Sequence, residues 1–124
     1  MKYSVIIADD MKFIRDDLKT RLAMAPDIEF QVIAEAADGK QAISEYFRLK
    51  PDLLLLDLIL PLASGLDVAR EILSHDPRAR ICLIAAMGHE PFIQQALDLG
   101  VMDFLIKPFE TETIHRRITR MLRP

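Results

Sequence analysis

The sequence predicts an α/β fold in which a parallel sheet carries helices on both faces. Two observations predict it. Short β-type apolar runs alternate with amphipathic helical patterns along the whole chain, the signature of βα units. The strand-like runs are also almost continuously apolar, Leu53-Leu54-Leu55-Leu56 most of all, which suits strands covered on both sides. With 124 residues, 51% of them hydrophobic, the chain is read as one domain, residues 1–124, with enough apolar material for one core.

Five βα units can be traced. Val5-Ile6-Ile7-Ala8 is the first strand, and Met11, Ile14, Leu18, Leu22 and Ala25 follow at helical spacing until Pro26 stops the helix. The second unit begins at Ile28: Phe30, Val32 and Ile33 suit a strand, Asp38-Gly39 a turn, and Ala42, Ile43, Tyr46 and Phe47 one helix face ending before Pro51. Leu53 to Asp57 is the third strand. After a loop with Pro61 and Ser64-Gly65, a helix turns Leu66, Ala69, Ile72 and Leu73 inward and ends before Pro77. Ile81 to Ala85 is the fourth strand. Its helix tolerates Pro91 in the first turn, buries Phe92, Ile93, Ala96 and Leu97, and closes at Gly100. Val101 to Ile106 forms the fifth strand, and Ile114, Ile118 and Leu122 mark the last helix.

Composition excludes several roles. A net charge of −3 provides no basic face for coating nucleic acid or an anionic membrane. No apolar stretch approaches the ~20 residues that span a bilayer, and the N-terminus runs directly into a strand pattern with no signal peptide. The single cysteine, Cys82, sits inside an apolar strand and reads as a buried, reduced thiol, which points to the cytoplasm.

In open parallel sheets, ligands bind at the carboxyl ends of the strands. That edge collects Asp9 and Asp10 after the first strand, Asp57 at the end of the third, Ala85-Ala86 after the fourth and Lys107-Pro108 after the fifth. Each acid alone could be a helix cap or turn residue, and Lys107 alone an ordinary loop lysine. Together they place three carboxylates and one ammonium on one edge. Such carboxylates repel, and a hard divalent cation with oxygen ligands, Mg²⁺ above all, relieves the repulsion. A carboxylate flanked by Mg²⁺ and Lys107 is equipped to attack phosphorus, because both cations neutralise the phosphoryl oxygens. The product is an aspartyl phosphate on Asp57.

These residues together resemble the receiver domains of bacterial two-component response regulators, the CheY-like family. Asp9-Asp10 resemble its acidic pair, Asp57 with Pro61 and Gly65 its phosphoacceptor loop, and Lys107-Pro108-Phe109 its terminal signature. Asp9-Asp10-x-x-Phe13-x-Arg15 and Ala86-Met87-Gly88 are most similar to the chemotaxis type. The resemblance implies a doubly wound, flavodoxin-like five-stranded sheet of order 2-1-3-4-5. It implies that Asp10, Asp57 and the backbone carbonyl of Ile59 ligate Mg²⁺, that Asp9 holds a metal-bound water, that Lys107 contacts the phosphoryl group, and that the Lys107-Pro108 peptide is cis. The implied partners are a sensor histidine kinase or phosphotransfer protein, and an output domain or target protein at the face of helix four, strand five and helix five. A homodimer is left open, with no direct nucleic-acid or membrane contact.

One position departs from the family pattern. The family has Ser or Thr at the end of strand four, where its hydroxyl reads the phosphoryl group; here that position is Ala85. One lost hydrogen bond to a charged group costs on the order of 1.5–3 kcal/mol, which weakens signalling more than chemistry. Phe104 occupies the place of the switch aromatic, and the small Ala85 leaves room for it to sit inward without phosphate. His75, His89 and His115 lack metal-ligand spacing and read as surface or cap residues. Arg116, Arg117, Arg120 and Arg123 read as a solvated helix face, with Asp98, Asp103 and Arg117 candidates for a docking surface.

Competing functions fare worse. An aspartate-nucleophile phosphatase of the haloacid dehalogenase type needs a second Asp two positions after the first, where this chain has Ile59. A flavodoxin-type flavin module needs a hydroxyl- and glycine-rich phosphate loop where Asp9-Asp10 would repel the anion. A degenerate receiver acting as a phosphorylation-independent module, or the N-terminal receiver of a DNA-binding transcription regulator, remains open. The domain is expected to catalyse only its own phosphorylation and dephosphorylation.

Overall fold

A computed structural model describes residues 1–123. Strands and helices alternate as β1 (Lys2–Ala8), α1 (Lys12–Ala23), β2 (Glu29–Ala36), α2 (Gly39–Leu49), β3 (Leu53–Asp57), α3 (Gly65–His75), β4 (Ile81–Ala86), α4 (Glu90–Leu99), β5 (Asp103–Lys107) and α5 (Thr111–Leu122). The strands form one parallel sheet in the order β2-β1-β3-β4-β5, the flavodoxin-like arrangement. The chain reverses direction across the sheet between β1 and β3, and the crevice at their carboxyl ends is the natural site for chemistry.

The apolar run of β3 is continuous because both of its faces are covered. Leu54 and Leu56 join a core with Val68, Ala69 and Ile72 of α3 and Ala42 of α2. Leu53 and Leu55 point the other way, into a core with Leu18 and Leu22 of α1 and Ile114 and Ile118 of α5. All five residues of β3 are buried, Asp57 included.

Helix ends follow local chemistry. Asp38 caps α2 by accepting the Gln41 N–H, so Asp38-Gly39 begins a helix as well as turning the chain. Ser64 and Asp67 form a capping box at the start of α3. Gly100 closes α4 with φ 112, in the left-handed region open to glycine.

Several boundaries and faces differ from expectation. α1 excludes Met11 and Ala25, because Met11 is the extended N-cap and Met24 already ends the helix. β1 starts at Lys2, pairing with Glu29, and β4 extends to Ala86, pairing with Lys107. β5 begins only at Asp103: the Val101 N–H closes α4 on the Ala96 carbonyl, and the Met102 N–H makes the first bond to β4, at the Ile81 carbonyl. Phe92 does not face the core: it is 44% exposed and packs edge-on against His89. Among the described residues, no helix is long and apolar enough to cross a membrane.

Candidate functional site

Three connections deliver the site. β1 ends at Ala8, and Asp9 follows fully buried, its N–H donating to the Ala36 carbonyl at 3.0 Å. The Asp9 carboxylate turns back on the chain, its Oδ1 accepting the Met11 N–H at 2.8 Å. Asp57 ends β3, and its Oδ1 accepts the Ile59 N–H at 3.0 Å. Lys107 ends β5 and reaches across, Nζ donating to Asp57 Oδ2 at 2.8 Å and to Asp9 Oδ2 at 3.4 Å. One ammonium thus joins carboxylates from two other strands.

The charges do not balance. Burial, and then the adjacent Asp57 carboxylate, hold the Asp9 carboxyl above its usual range, against the pull of the Met11 N–H and Lys107. Burial acts to lower the Lys107 pKa, but the Asp57 and Asp9 carboxylates outweigh it and push the value above the ordinary 10.5, which keeps the group an ammonium. A buried carboxyl held above its usual range next to a second carboxylate is a place where a further cation is welcome.

Asp10 is exposed at the rim. Asp9 and Asp57 meet over Lys107, and among the described residues no three His, Cys, Asp or Glu side chains converge as a closed metal cage. Oxygen donors that are few and anionic, two of them buried and Asp10 exposed at the rim, fit Mg²⁺, which keeps several waters and takes one or two carboxylates. Ile59 is itself 60% exposed, beside the Asp57 carboxylate that its N–H binds.

The β3–α3 connection is held by glycine. The Gly65 N–H donates to the Leu58 carbonyl at 2.8 Å, and a Cβ on Gly65 would lie 2.5 Å from the Asp57 oxygen and 2.7 Å from the Leu58 Cα. The Lys107–Pro108 peptide is cis. Ala85, on β4 opposite Ile106, is 1% exposed and offers no hydroxyl. His89 steadies the connection after it, its Nδ1 accepting the Ala86 N–H at 3.2 Å.

The α5 arginines are not all a solvated face. Asp103 is 8% exposed; it accepts from Arg117 at 2.7 Å and from Arg120 at 3.1 Å. Asp103 and Arg117 therefore hold α5 to the sheet instead of standing free on a docking surface. Phe104 is half-buried against the α2–α4 side of the core, and the Arg117 guanidinium lies over its ring. Glu35, on β2, was not singled out in the sequence. It binds Arg15 and Lys19, both at 2.9 Å, and its signal was a lone charge in the apolar stretch Val32-Ile33-Ala34-Glu35-Ala36.

A doubly wound sheet whose carboxyl edge joins two aspartates and a lysine defines the receiver class. The model of the response regulator receiver domain matches residues 5–119, and the chain belongs to that family. It is 35% identical over 118 residues to protein CcdB of Bacillus subtilis, covering 95% of this chain and 96% of that protein. It is 33% identical over 117 residues to the chemotaxis protein CheY of Thermotoga maritima, covering 94% and 95%. Among solved structures, CheY in the CheX-CheY-BeF3-Mg complex from Borrelia burgdorferi is similar with a TM-score of 0.91 and 27% identity, covering 98% of this chain and 90% of that one. Receiver domains serve two-component signalling as switches and are not enzymes in the ordinary sense.

Proposed function

We propose that residues 1–124 form one receiver domain that accepts a phosphoryl group on Asp57 from a phosphohistidine donor, in a Mg²⁺-dependent reaction, and changes its partner-binding face. The observation that carries this reading is the Lys107 ammonium 2.8 Å from the Asp57 carboxylate, with the buried Asp9 carboxylate on its other side. An Asp57 oxygen forms the bond to phosphorus as the P–N bond to the donor imidazole breaks; the leaving nitrogen keeps the electron pair and takes a proton. Lys107 neutralises charge on the transferring oxygens and stays within reach of the product. Asp10, Asp57 and the Ile59 carbonyl would hold Mg²⁺, with Asp9 on a bound water; the ion would supply a second positive charge to the transferring oxygens. Hydrolysis of the acyl phosphate at the same site returns the switch to its starting state.

The donor, a histidine kinase or phosphotransfer protein, must cover the edge where Asp57 opens. Connections leaving that edge expose Met11, Phe13, Ile59, Leu62 and Met87, all more than half accessible, an apolar surround for an acidic centre that suits a protein donor. A target protein, an output domain or a second copy reads the face of α4, β5 and α5. A cytoplasmic setting accords with the buried free thiol of Cys82.

A second reading, a receiver that binds its partner without phosphorylation, is favoured by one observation: the buried Ala85 has no hydroxyl to read the phosphoryl group. Incubation with acetyl phosphate or phosphoramidate and Mg²⁺, followed by intact-mass spectrometry, separates the two. The leading reading expects a Mg²⁺-dependent phosphoryl adduct that vanishes in Asp57→Asn. No adduct, or one that persists in the variant, sinks it.

A further inference from the structure

We propose that Arg15, held by Glu35, is the positioning residue for the Asp9–Asp10 peptide and thereby sets how tightly this site takes a divalent cation. The inference rests on the reading of the edge as a Mg²⁺ site and concerns a side chain that touches neither the cation nor the phosphoryl group.

β1 leaves the sheet ladder at Ala8, its last partner being Ala36. Beyond that point the Asp9 carbonyl has no strand N–H to pair with, and a carbonyl on a fully buried residue needs a donor. Both peptide groups of Asp9 are nonetheless tied to the end of β2. The Asp9 N–H donates directly to the Ala36 carbonyl at 3.0 Å. The Asp9 carbonyl accepts from Arg15 Nη1 at 2.7 Å, while Nε of the same guanidinium donates to Glu35 Oε1 at 2.9 Å. One residue of β2 therefore holds Asp9 directly, and its neighbour holds it through an arginine of α1. Lys19 Nζ donates to the other Glu35 oxygen at 2.9 Å, so the carboxylate that anchors Arg15 is itself fixed. The Arg15 side chain is only 15% exposed.

The peptide clamped in this way is the one that leads into Asp10. The Asp10 carboxylate is at the exposed rim, so its direction follows from the plane of that peptide. A guanidinium suits the task because its fork donates to a carbonyl and a carboxylate at fixed angles, whereas an ammonium is a single mobile point. Groups that orient metal ligands from behind are worth about 10–100-fold in metal affinity.

The sign of the effect separates positioning from charge. By Coulomb's law alone, removing a cation next to a metal site tightens metal binding. Positioning demands the reverse.

The experiment measures Mn²⁺ binding to the intact chain by electron paramagnetic resonance of the free ion, with Mg²⁺ as competitor, beside urea unfolding without metal. Arg15→Met is expected to weaken Mn²⁺ binding about 10-fold, with Arg15→Lys between it and the wild type. Glu35→Gln, which keeps an acceptor for Nε, is expected to weaken binding less; Arg15→Lys, which keeps the charge and loses the fork, serves as the readout should Arg15→Met fail to fold. Lys12→Met removes a cation of the same helix that pairs, among the described residues, with the surface Asp16, and is expected to leave binding unchanged or slightly tighter. Folded Arg15 and Glu35 variants that bind Mn²⁺ as tightly as the wild type, or more tightly, overturn the inference while leaving the Mg²⁺ reading in place. A wild type that binds no Mn²⁺, or binds it equally well as Asp10→Asn, overturns both.

Discussion

The guanidinium of Arg117 donates to Asp103 Oδ1 at 2.7 Å and lies 4.9 Å from the centre of the Phe104 ring. It also donates to the Phe104 carbonyl at 3.2 Å. A buried acid, the neighbouring aromatic and helix α5 are thus joined at the open edge of the sheet. Unpairing the buried member leaves nothing to offset its desolvation, whereas the arginines can return to water, since Arg117 is 29% and Arg120 64% exposed. Arg117→Met, which leaves the buried Asp103 carboxylate with Arg120 alone, is therefore expected to cost about 1–3 kcal/mol in urea unfolding, Asp103→Asn less, and Arg120→Met under about 1 kcal/mol. An Arg120 variant that costs the most would contradict this ranking.

Gly65 and Gly100 are required for different reasons. A side chain at Gly65 collides with the backbone of Asp57, while Gly100 needs its positive φ and has space around it. Both alanine variants are expected to lose about 1–3 kcal/mol. Only Gly65→Ala should also slow labelling by acetyl phosphate, because only there must Asp57 shift to relieve the contact. Equal labelling rates in the two variants would count against it.

The Asp9 carboxyl is raised, so its contribution to stability is full below its ordinary value of 3.8 and is lost as pH rises through the folded value. Asp9→Asn is expected to stabilise the metal-free chain at pH 7 by about 1–3 kcal/mol, the cost of one poorly paired buried group. The gain should shrink on acidification. Glu35 has the opposite sign: Lys19, against burial and with help from Arg15, lowers it, so its contribution is present above 4.5 and is lost as pH falls. Urea midpoints of wild type, Asp9→Asn and Glu35→Gln between pH 3 and 7 check both slopes.

Lys107→Met removes the ammonium shared by Asp57 and Asp9. Phosphorylation by acetyl phosphate is expected to fall about 10²–10³-fold, as for loss of one preorganised donor to a developing charge. Divalent-cation binding should hold or tighten, since a competing cation has gone. Calorimetric titration beside the labelling rate measures both, and parallel loss of the two would show that Lys107 shapes the site and does not serve the transfer.

Much of the fold was legible because parallel strands covered on both faces must be apolar throughout. β3 spans Leu53–Asp57 as its leucine run predicted, and the element order followed from alternation with amphipathic helices. The ends were less legible, since they depend on which carbonyl a distant N–H finds. β5 starts only at Asp103, after the Val101 N–H has gone to the Ala96 carbonyl of α4 and not to the neighbouring strand. Phe92 fits the inward helical spacing yet sits outside, its ring against His89.

The sequence by itself determined the sheet and placed Asp9, Asp10, Asp57 and Lys107 on its carboxyl edge, because periodicity and strand-end position are local properties of the chain. Only the tertiary structure decided how those groups are shared. It brings Asp9 under the same ammonium as Asp57, leaves Asp10 at the rim, ties Arg15 and Glu35 behind them, and spends Asp103 on the arginines of α5. Those pairings join groups far apart in the chain, and their partners are chosen by burial: a charge removed from water takes whichever opposite group the packing brings near.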